Sequence, residues 1–437
     1  MNRPTPLLHA RRARVSGKFM ACDGTCTFDP HSLEYDRNPH PIHAHLREHH
    51  RVFHWKEMDA WVLSHHADID WLLKHAPVGT STSHWKNARA KAIDACTPWE
   101  RLVRETITFK EGDEHARLRR HVSRTFTPRA VARLAPRIEE CVRSALADAV
   151  ASGDLVDLVG ALSSRVPMQV LGSLLGVPPE MDAEFCRHAV RLQNAINPLS
   201  DAKALAEADV AASRFGDLIG ILIDRARVSP GEDLLSALVH QGESDGGEKE
   251  DGKLSRMELV GIVTAIIMAG AETTGSLVNH GMLALLRHPA ELAAVRADPE
   301  RLPAAVEELA RFDFPTKFVT RYALEPLDVG GERIAKGELI FGALGSANRD
   351  PLVFPDPDRL DLSRVPGPTL TFGAGAHFCL GASLARAEAA EMIGQLVVDF
   401  PDLELAGEPC FSPHFNIRLM TRLPVRLGDA RPGRGWD

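Results

Sequence analysis

Ten residues of the chain, Phe372 to Gly381, read FGAGAHFCLG and set one cysteine among three glycines, a histidine and two phenylalanines. Helical periodicity resumes directly behind Cys379, so the amide-rich, positive end of a helix points at the sulfur and lowers its thiol pKa toward thiolate. Gly373, Gly375 and Gly381 remove side-chain bulk, letting backbone amides approach the sulfur and something flat press against the loop. A flat cofactor carrying a soft metal meets those demands; a lone cysteine at a glycine turn would otherwise be an ordinary buried thiol. A second stretch, AGAETT from Ala269 to Thr274, lies deep in an apolar run. Glycine there costs about 1 kcal/mol relative to alanine, and an acid beside threonine is expensive in a core without a purpose or partners. A kinked helix that satisfies its own polar groups is the plainer alternative.

The cysteine string resembles the haem-binding signature of the cytochrome P450 superfamily, Phe-Gly-x-Gly-x-His/Arg-x-Cys-x-Gly, at every fixed position. Average residue frequencies give such a match on the order of once in a million chains. The resemblance makes Cys379 the thiolate axial ligand of haem b, iron protoporphyrin IX, with Phe372 and Gly373 against the cofactor. AGAETT resembles the family's oxygen-binding motif: Ala269 and Gly270 would leave room beside the cofactor, Thr273 would hydrogen-bond dioxygen, and Glu272 would relay protons through water. GDEHARLRR looks like the family's His-x-x-x-Arg element. His115 and Arg119, one helical turn apart, would then reach the haem propionates together with Arg321 and His377. Each of these four, taken singly, passes for a solvated surface residue.

Glu308-x-x-Arg311 resembles the family's Glu-x-x-Arg motif and FPDPDRL its meander, which implies a buried Glu308/Arg311/Arg359 cluster supporting the haem-side core. Without the third member such a pair is routine on a helix surface. The family's substrate-contact segments fall on Ala265, Met268, Phe318, Val319, Phe415 and Ile417, whose apolar character burial alone would also explain. Two positions depart from the pattern. Thr369 stands where many relatives carry histidine, weakening one propionate contact, and Glu111 to Asp113 stand where relatives often carry Asp-Pro-Pro, which bears on the local loop shape.

The 437 residues are 44% hydrophobic and 25% charged, ordinary for a globular chain with a large core, in one domain or two. A formal charge of -8 leaves no global basic field to hold nucleic acid or an anionic membrane. Seven cysteines without paired spacing, and an N-terminus lacking the apolar core of a secretion signal, predict a reducing, cytoplasmic setting. Cys22 and Cys26 have no second ligand pair with which to build a metal site. The basic, acid-free start reads as a disordered tail in preference to a transit-like presequence. The run from Leu259 to Ala271 falls short of the roughly 20 residues a membrane span needs and predicts a buried core helix.

RVFHW and AWVLS around KEMD predict a hairpin, HHADIDWLLKH a helix, and residues 98–239 a mostly helical stretch. Residues 241–253, charged and glycine-rich, predict a surface connection and not a domain boundary. Ser255 and Glu258 form a capping box and no proline follows until Pro289, so one helix of roughly 48 Å crosses the domain. LPAAVEELARF predicts a helix, LDVGGERIAKGELIFGA short hairpins, and the residues behind Cys379 another helix. No internal repeat is present.

The resemblance implies the cytochrome P450 fold: mainly α with a small β region, haem between the long central helix and the cysteine loop, and one domain over 28–428 with tails at 1–27 and 429–437. It implies a bacterial-type monooxygenase, a monomer, that hydroxylates or epoxidises a medium-sized hydrophobic substrate such as a terpenoid, steroid, fatty acid or macrolide. The last β-like segment, RLMTRLPVRL, leaves no length for a flavin domain. Electrons are therefore expected from a separate ferredoxin or flavodoxin with its reductase, docking where Arg119, Arg120 and Arg124 offer positive charge. A peroxide-driven peroxygenase, a non-catalytic haem sensor, and a zinc or structural protein stay open as alternatives. Glu272 and Thr273 argue against the first, and the lack of an appended regulatory module against the second.

Overall fold

Ser255 and Glu258 start the longest helix by capping each other: Ser255 Oγ accepts from the Glu258 N–H at 3.2 Å, and the Glu258 carboxylate accepts from the Ser255 N–H at 2.7 Å. The helix runs 32 residues, Arg256–Arg287, and is apolar on nearly every side because other helices cover it. Among the described residues it is the one helix long and apolar enough to cross a membrane, and most of its apolar window is buried inside the fold, as befits a core helix. These relations come from a computed structural model that describes residues 17–21, 24–88, 95–196, 201–240, 253–313 and 315–431. The predicted surface connection, apart from Lys253, lies outside them, as do Cys22 and residues 1–16. The expected disordered tail over 1–27 is not wholly so: Gly17–Ala21 pairs as an antiparallel strand with Gly24–Phe28, which runs one residue past that boundary.

Around the central helix pack Pro98–Arg104, Val166–Leu174, Ala202–Val228, Leu302–Phe312 and Ala382–Asp399. Two glycines set how close the neighbours come. A β-carbon at Gly261 or Gly275 would overlap the carbonyl oxygens of Glu105 or Ser163. Beside this helical mass lies a five-stranded sheet in the order Val52–Trp55, Ala60–Leu63, Leu339–Ala343, Phe318–Ala323, Val78–Gly79. The first two strands form the predicted hairpin, and Leu327–Val329 with Glu332–Ile334 form another around Gly330 and Gly331, both at positive φ. Leu339–Ala343 does not stay in a local hairpin but joins the large sheet, parallel to Ala60–Leu63.

Glu308 and Arg311 are fully buried and paired at 2.6 and 2.8 Å. The third member is not Arg359. Arg364 Nε reaches Glu308 at 3.1 Å, whereas Arg359 offers its backbone carbonyl to Arg311 at 3.3 Å. The cause is the turn at Asp356, whose φ is +46°; it closes with an Arg359 N–H to Asp356 carbonyl bond at 3.1 Å and leaves the Arg359 side chain exposed.

A second buried pair joins distant parts of the chain. Lys317 Nζ lies 2.6 Å from Asp36, both without exposed surface, and donates to the carbonyls of Pro30 at 2.6 Å and His414 at 2.8 Å. Burial pushes the Asp36 carboxyl up and the Lys317 ammonium down, while each partner pulls the other back. Removing one charge from such a pair strands the other, so Lys317→Met is expected to lose about 3–5 kcal/mol of stability. The double variant Lys317→Met/Asp36→Leu should recover most of it. Denaturant midpoints check this; a double variant as unstable as the single one would contradict it.

Candidate active site

One cavity of about 370 Å³ gathers most of the chemistry-bearing residues. The central helix supplies a stripe at helical spacing: Ile262, Ala265, Ala269, Gly270, Thr273 and Leu277 all face it. The cysteine loop contributes Phe372, Gly373, His377 and Cys379, the helix Gly112–Thr125 contributes His115 and Arg119, and the sheet contributes Val319 and Arg321.

The loop earns its glycines. Gly373 and Gly375 adopt φ of +70° and +69°, and a β-carbon at Gly375 would overlap the Leu73 carbonyl. Such backbone is strained for any L side chain. The Cys379 N–H donates to the Phe372 carbonyl at 2.9 Å, closing the loop, and Arg386 lies over the Phe372 ring at 4.3 Å. Gly381 caps the helix Ala382–Asp399. Burial pushes the Cys379 thiol up, while the amides of Gly381 and Ala382 and the guanidinium groups of Arg119 and Arg386 pull it down. The expected thiolate-favouring helix end is present, but by itself it is outweighed by desolvation.

Four basic residues converge on one end of the cavity. The His115 and His377 rings stack with centroids 4.0 Å apart. Burial, then neighbouring positive charge, lowers His377 to about 3, and burial lowers Arg321 to about 10. Arg321 donates to the Thr320 carbonyl at 2.8 Å and Arg119 to that of Phe378 at 2.6 Å, so neither is spent on a carboxylate. Glu111, the nearest acid in their electrostatic surroundings, instead accepts from Ser81 N–H at 2.8 Å and from His84 at 2.5 Å. Two guanidiniums and two imidazoles free of a carboxylate, beside a cysteine and a bulk-free loop, fit a flat group with two carboxylates and a thiophilic metal.

Thr273 faces the cavity and donates to the Ala269 carbonyl at 2.5 Å. Glu272 does not belong to the cavity wall, since adjacent helix residues point about 100° apart; burial alone raises its carboxyl to about 7. Of the six residues expected to contact substrate, Ala265 and Val319 line the cavity and four do not. Met268 lies off the helical stripe and packs on the main core. Phe318 has the opposite strand parity to Val319 and Arg321, and packs on Phe341 at 5.4 Å. Phe415 sits between Phe341 and His31 at 5.6 and 5.4 Å, and Ile417 bridges to Thr316. Sequence reading missed Ile107, Thr108 and Thr316, which line the cavity, and also Glu388.

A sequence profile described as Cytochrome P450 matches residues 223–421. The cytochrome P450 monooxygenase PikC of Streptomyces venezuelae is 35% identical over 401 residues, covering 90% of this chain and 92% of that protein. The vitamin D(3) 25-hydroxylase of Pseudonocardia autotrophica is 33% identical, covering 93% and 98%. The crystal structure of epothilone D-bound cytochrome P450epoK superposes with a TM-score of 0.83 at 32% identity, covering 92% and 99%.

Glu388 is fully buried, its Oε2 has no hydrogen-bond partner, and burial pushes its carboxyl up to about 8. At neutral pH it is protonated in the fold but ionised in the unfolded chain. Its contribution to stability is therefore full below the ordinary carboxylate value and lost as pH rises through about 8. Glu388→Gln keeps shape and neutrality and removes that slope. The stability difference, variant minus wild type, should grow more positive from about pH 5 to about pH 8, by on the order of 1 kcal/mol per pH unit. Melting curves across that range decide; a difference that stays constant would count against it.

Proposed function

The chain belongs to the cytochrome P450 family and is a haem-iron monooxygenase; on that premise we propose that the cavity holds haem b and that Cys379 is its thiolate ligand. The observation that carries this reading is the convergence of the Cys379 sulfur, the Thr273 hydroxyl and four basic side chains on one hollow. Haem ligated by a thiolate activates dioxygen, because the sulfur pushes electron density that favours O–O cleavage.

The chain's own residues do the rest. Gly381 and Ala382 amides stabilise negative charge on the sulfur. Arg119, Arg321, His115 and His377 would hold the two carboxylates, while Phe372 and Gly373 would lie against the cofactor. Ala269 and Gly270 would leave space for dioxygen, and Thr273 would donate there by turning its hydroxyl hydrogen from the Ala269 carbonyl that now receives it. Glu272, raised to about 7, gives and regains protons near neutral pH and passes them on through water.

The substrate is a neutral, medium-sized hydrophobic molecule that is hydroxylated or epoxidised. Ile107, Ile262, Ala265 and Val319 give the cavity its apolar wall, and relatives named for vitamin D(3), 6-deoxyerythronolide B and epothilone support a polycyclic or macrocyclic skeleton. Electrons come from a ferredoxin or flavodoxin with its reductase, docking beside the exposed Arg120 and Arg124. Residues 28–428 act as one domain of a cytoplasmic monomer. A low-to-high-spin spectral shift on adding candidate compounds identifies the substrate.

Cys379→Ser should abolish the thiolate-type band of the reduced carbon-monoxide complex; a variant that retained the band would end the ligand assignment. Thr273→Ala should keep haem and substrate binding yet lower product yield about tenfold or more, with the reducing equivalents appearing as peroxide. Unchanged coupling of NADPH consumption to product would remove Thr273 from proton delivery.

A further inference from the structure

A second hollow of about 270 Å³ lies against the first. Phe126, at the C-terminal cap of the helix Gly112–Thr125, has a face in both. Leu171 and Leu174, nearly one turn apart on the helix Val166–Leu174, front the main cavity and the second hollow respectively. Leu171 also packs on the central helix: a β-carbon at Gly270 would meet its Cδ1 at 2.9 Å. The two hollows thus share a partition of Phe126 and a leucine edge, and that edge touches the backbone beside Thr273.

The chemistry of the second hollow selects its occupant. Asp233 at its mouth accepts from the Ser236 N–H and hydroxyl, both at 2.7 Å. Ser173 accepts from Arg137 at 2.9 Å and donates to the Gln169 carbonyl at 3.0 Å. Arg133 and Glu232, both exposed there, are of opposite sign. The mouth therefore carries one net negative charge, which disfavours anions, and both Asp233 oxygens and the Ser173 hydroxyl are already hydrogen-bonded within the protein. The floor is apolar, and a partition of three side chains opens by rotamer motion far enough for a diatomic molecule without backbone movement.

We propose that this hollow is a passage by which dioxygen reaches the Gly270–Thr273 stretch independently of the route taken by substrate. A small apolar gas partitions into such a hollow, and a separate way in keeps the oxygen side supplied while a bulky substrate fills the main cavity. The passage rests on the reading of the main cavity as the site where dioxygen reacts.

Two measurements on the haem-loaded protein test it. Crystals pressurised with xenon should show the gas in the second hollow, a result independent of any turnover. In the reduced protein, Phe126→Ala should speed bimolecular carbon-monoxide association about threefold. A plug at the exposed rim, Ala237→Phe, should cancel that gain in the double variant. Leu174→Ala replaces Phe126→Ala if the latter fails to fold. Absence of xenon from the hollow, association rates equal to wild type in the opened variants, or a gain that the plug leaves intact would each overturn the passage. A reduced protein that bound no carbon monoxide would instead overturn the haem reading, and the passage with it.

Discussion

A sulfur that is to carry negative charge against an apolar wall is costly, and the surrounding architecture offsets part of that cost. Burial drives Cys379 toward its neutral thiol, against two helix-end amides and the guanidiniums of Arg119 and Arg386. Those forces alone do not win. A soft cation on the sulfur would tip the balance, since metal binding replaces the thiol proton. On the reading of Cys379 as the metal ligand, the site would not depend on a free thiolate.

Holding that loop is a task for residues far from the sulfur. Arg311, paired with Glu308, donates to the Asn348 carbonyl at 2.9 Å. The Asn348 side chain donates to Thr371 Oγ1 at 2.9 Å and accepts from the Leu370 N–H at 2.7 Å, and Thr371 in turn donates to the Ala310 carbonyl at 3.1 Å. The buried ion pair is thereby wired, through one asparagine, to the residues that enter the cysteine loop. A buried pair is weak evidence for stability as such; here its consequence is placement. Phe372 follows Thr371, and its carbonyl accepts from the Cys379 N–H.

Local grammar was legible in the sequence. The capping box at Ser255 and Glu258, the hairpin around residues 52–63 and the glycine-rich loop each announce themselves within a few residues. Partners contributed by tertiary structure did not. Arg359 and Arg364 are five residues apart, and the turn at Asp356, with the carbonyls of Pro355, Asp356 and Arg359 that accept from Arg364, brings the latter's guanidinium to Glu308. Strand parity was available and unused: if Arg321 faces the cavity, Val319 does and Phe318 does not. Glu388 also had a signal, because it continues the stripe of Gly381, Leu384 and Ala385 into the cavity. Lys317 with Asp36 had none, being a pair made across the chain.

The cavity is electrically lopsided, and this bears on how a flat dianion would be oriented. At one end Arg119 and Arg321 carry two fixed positive charges, while burial and those same charges keep His115 and His377 lowered. The neutral imidazoles spare the site the repulsion of four cations, and two guanidiniums match two carboxylates. Two arriving carboxylates would offset the two guanidinium charges and make each ring easier to protonate, and so a better donor. Among the described residues that line the cavity the one acid, Glu388, is kept protonated by burial and adds no opposing charge. A dianion would thus gain most where these guanidiniums cluster, which favours one way round in the cavity.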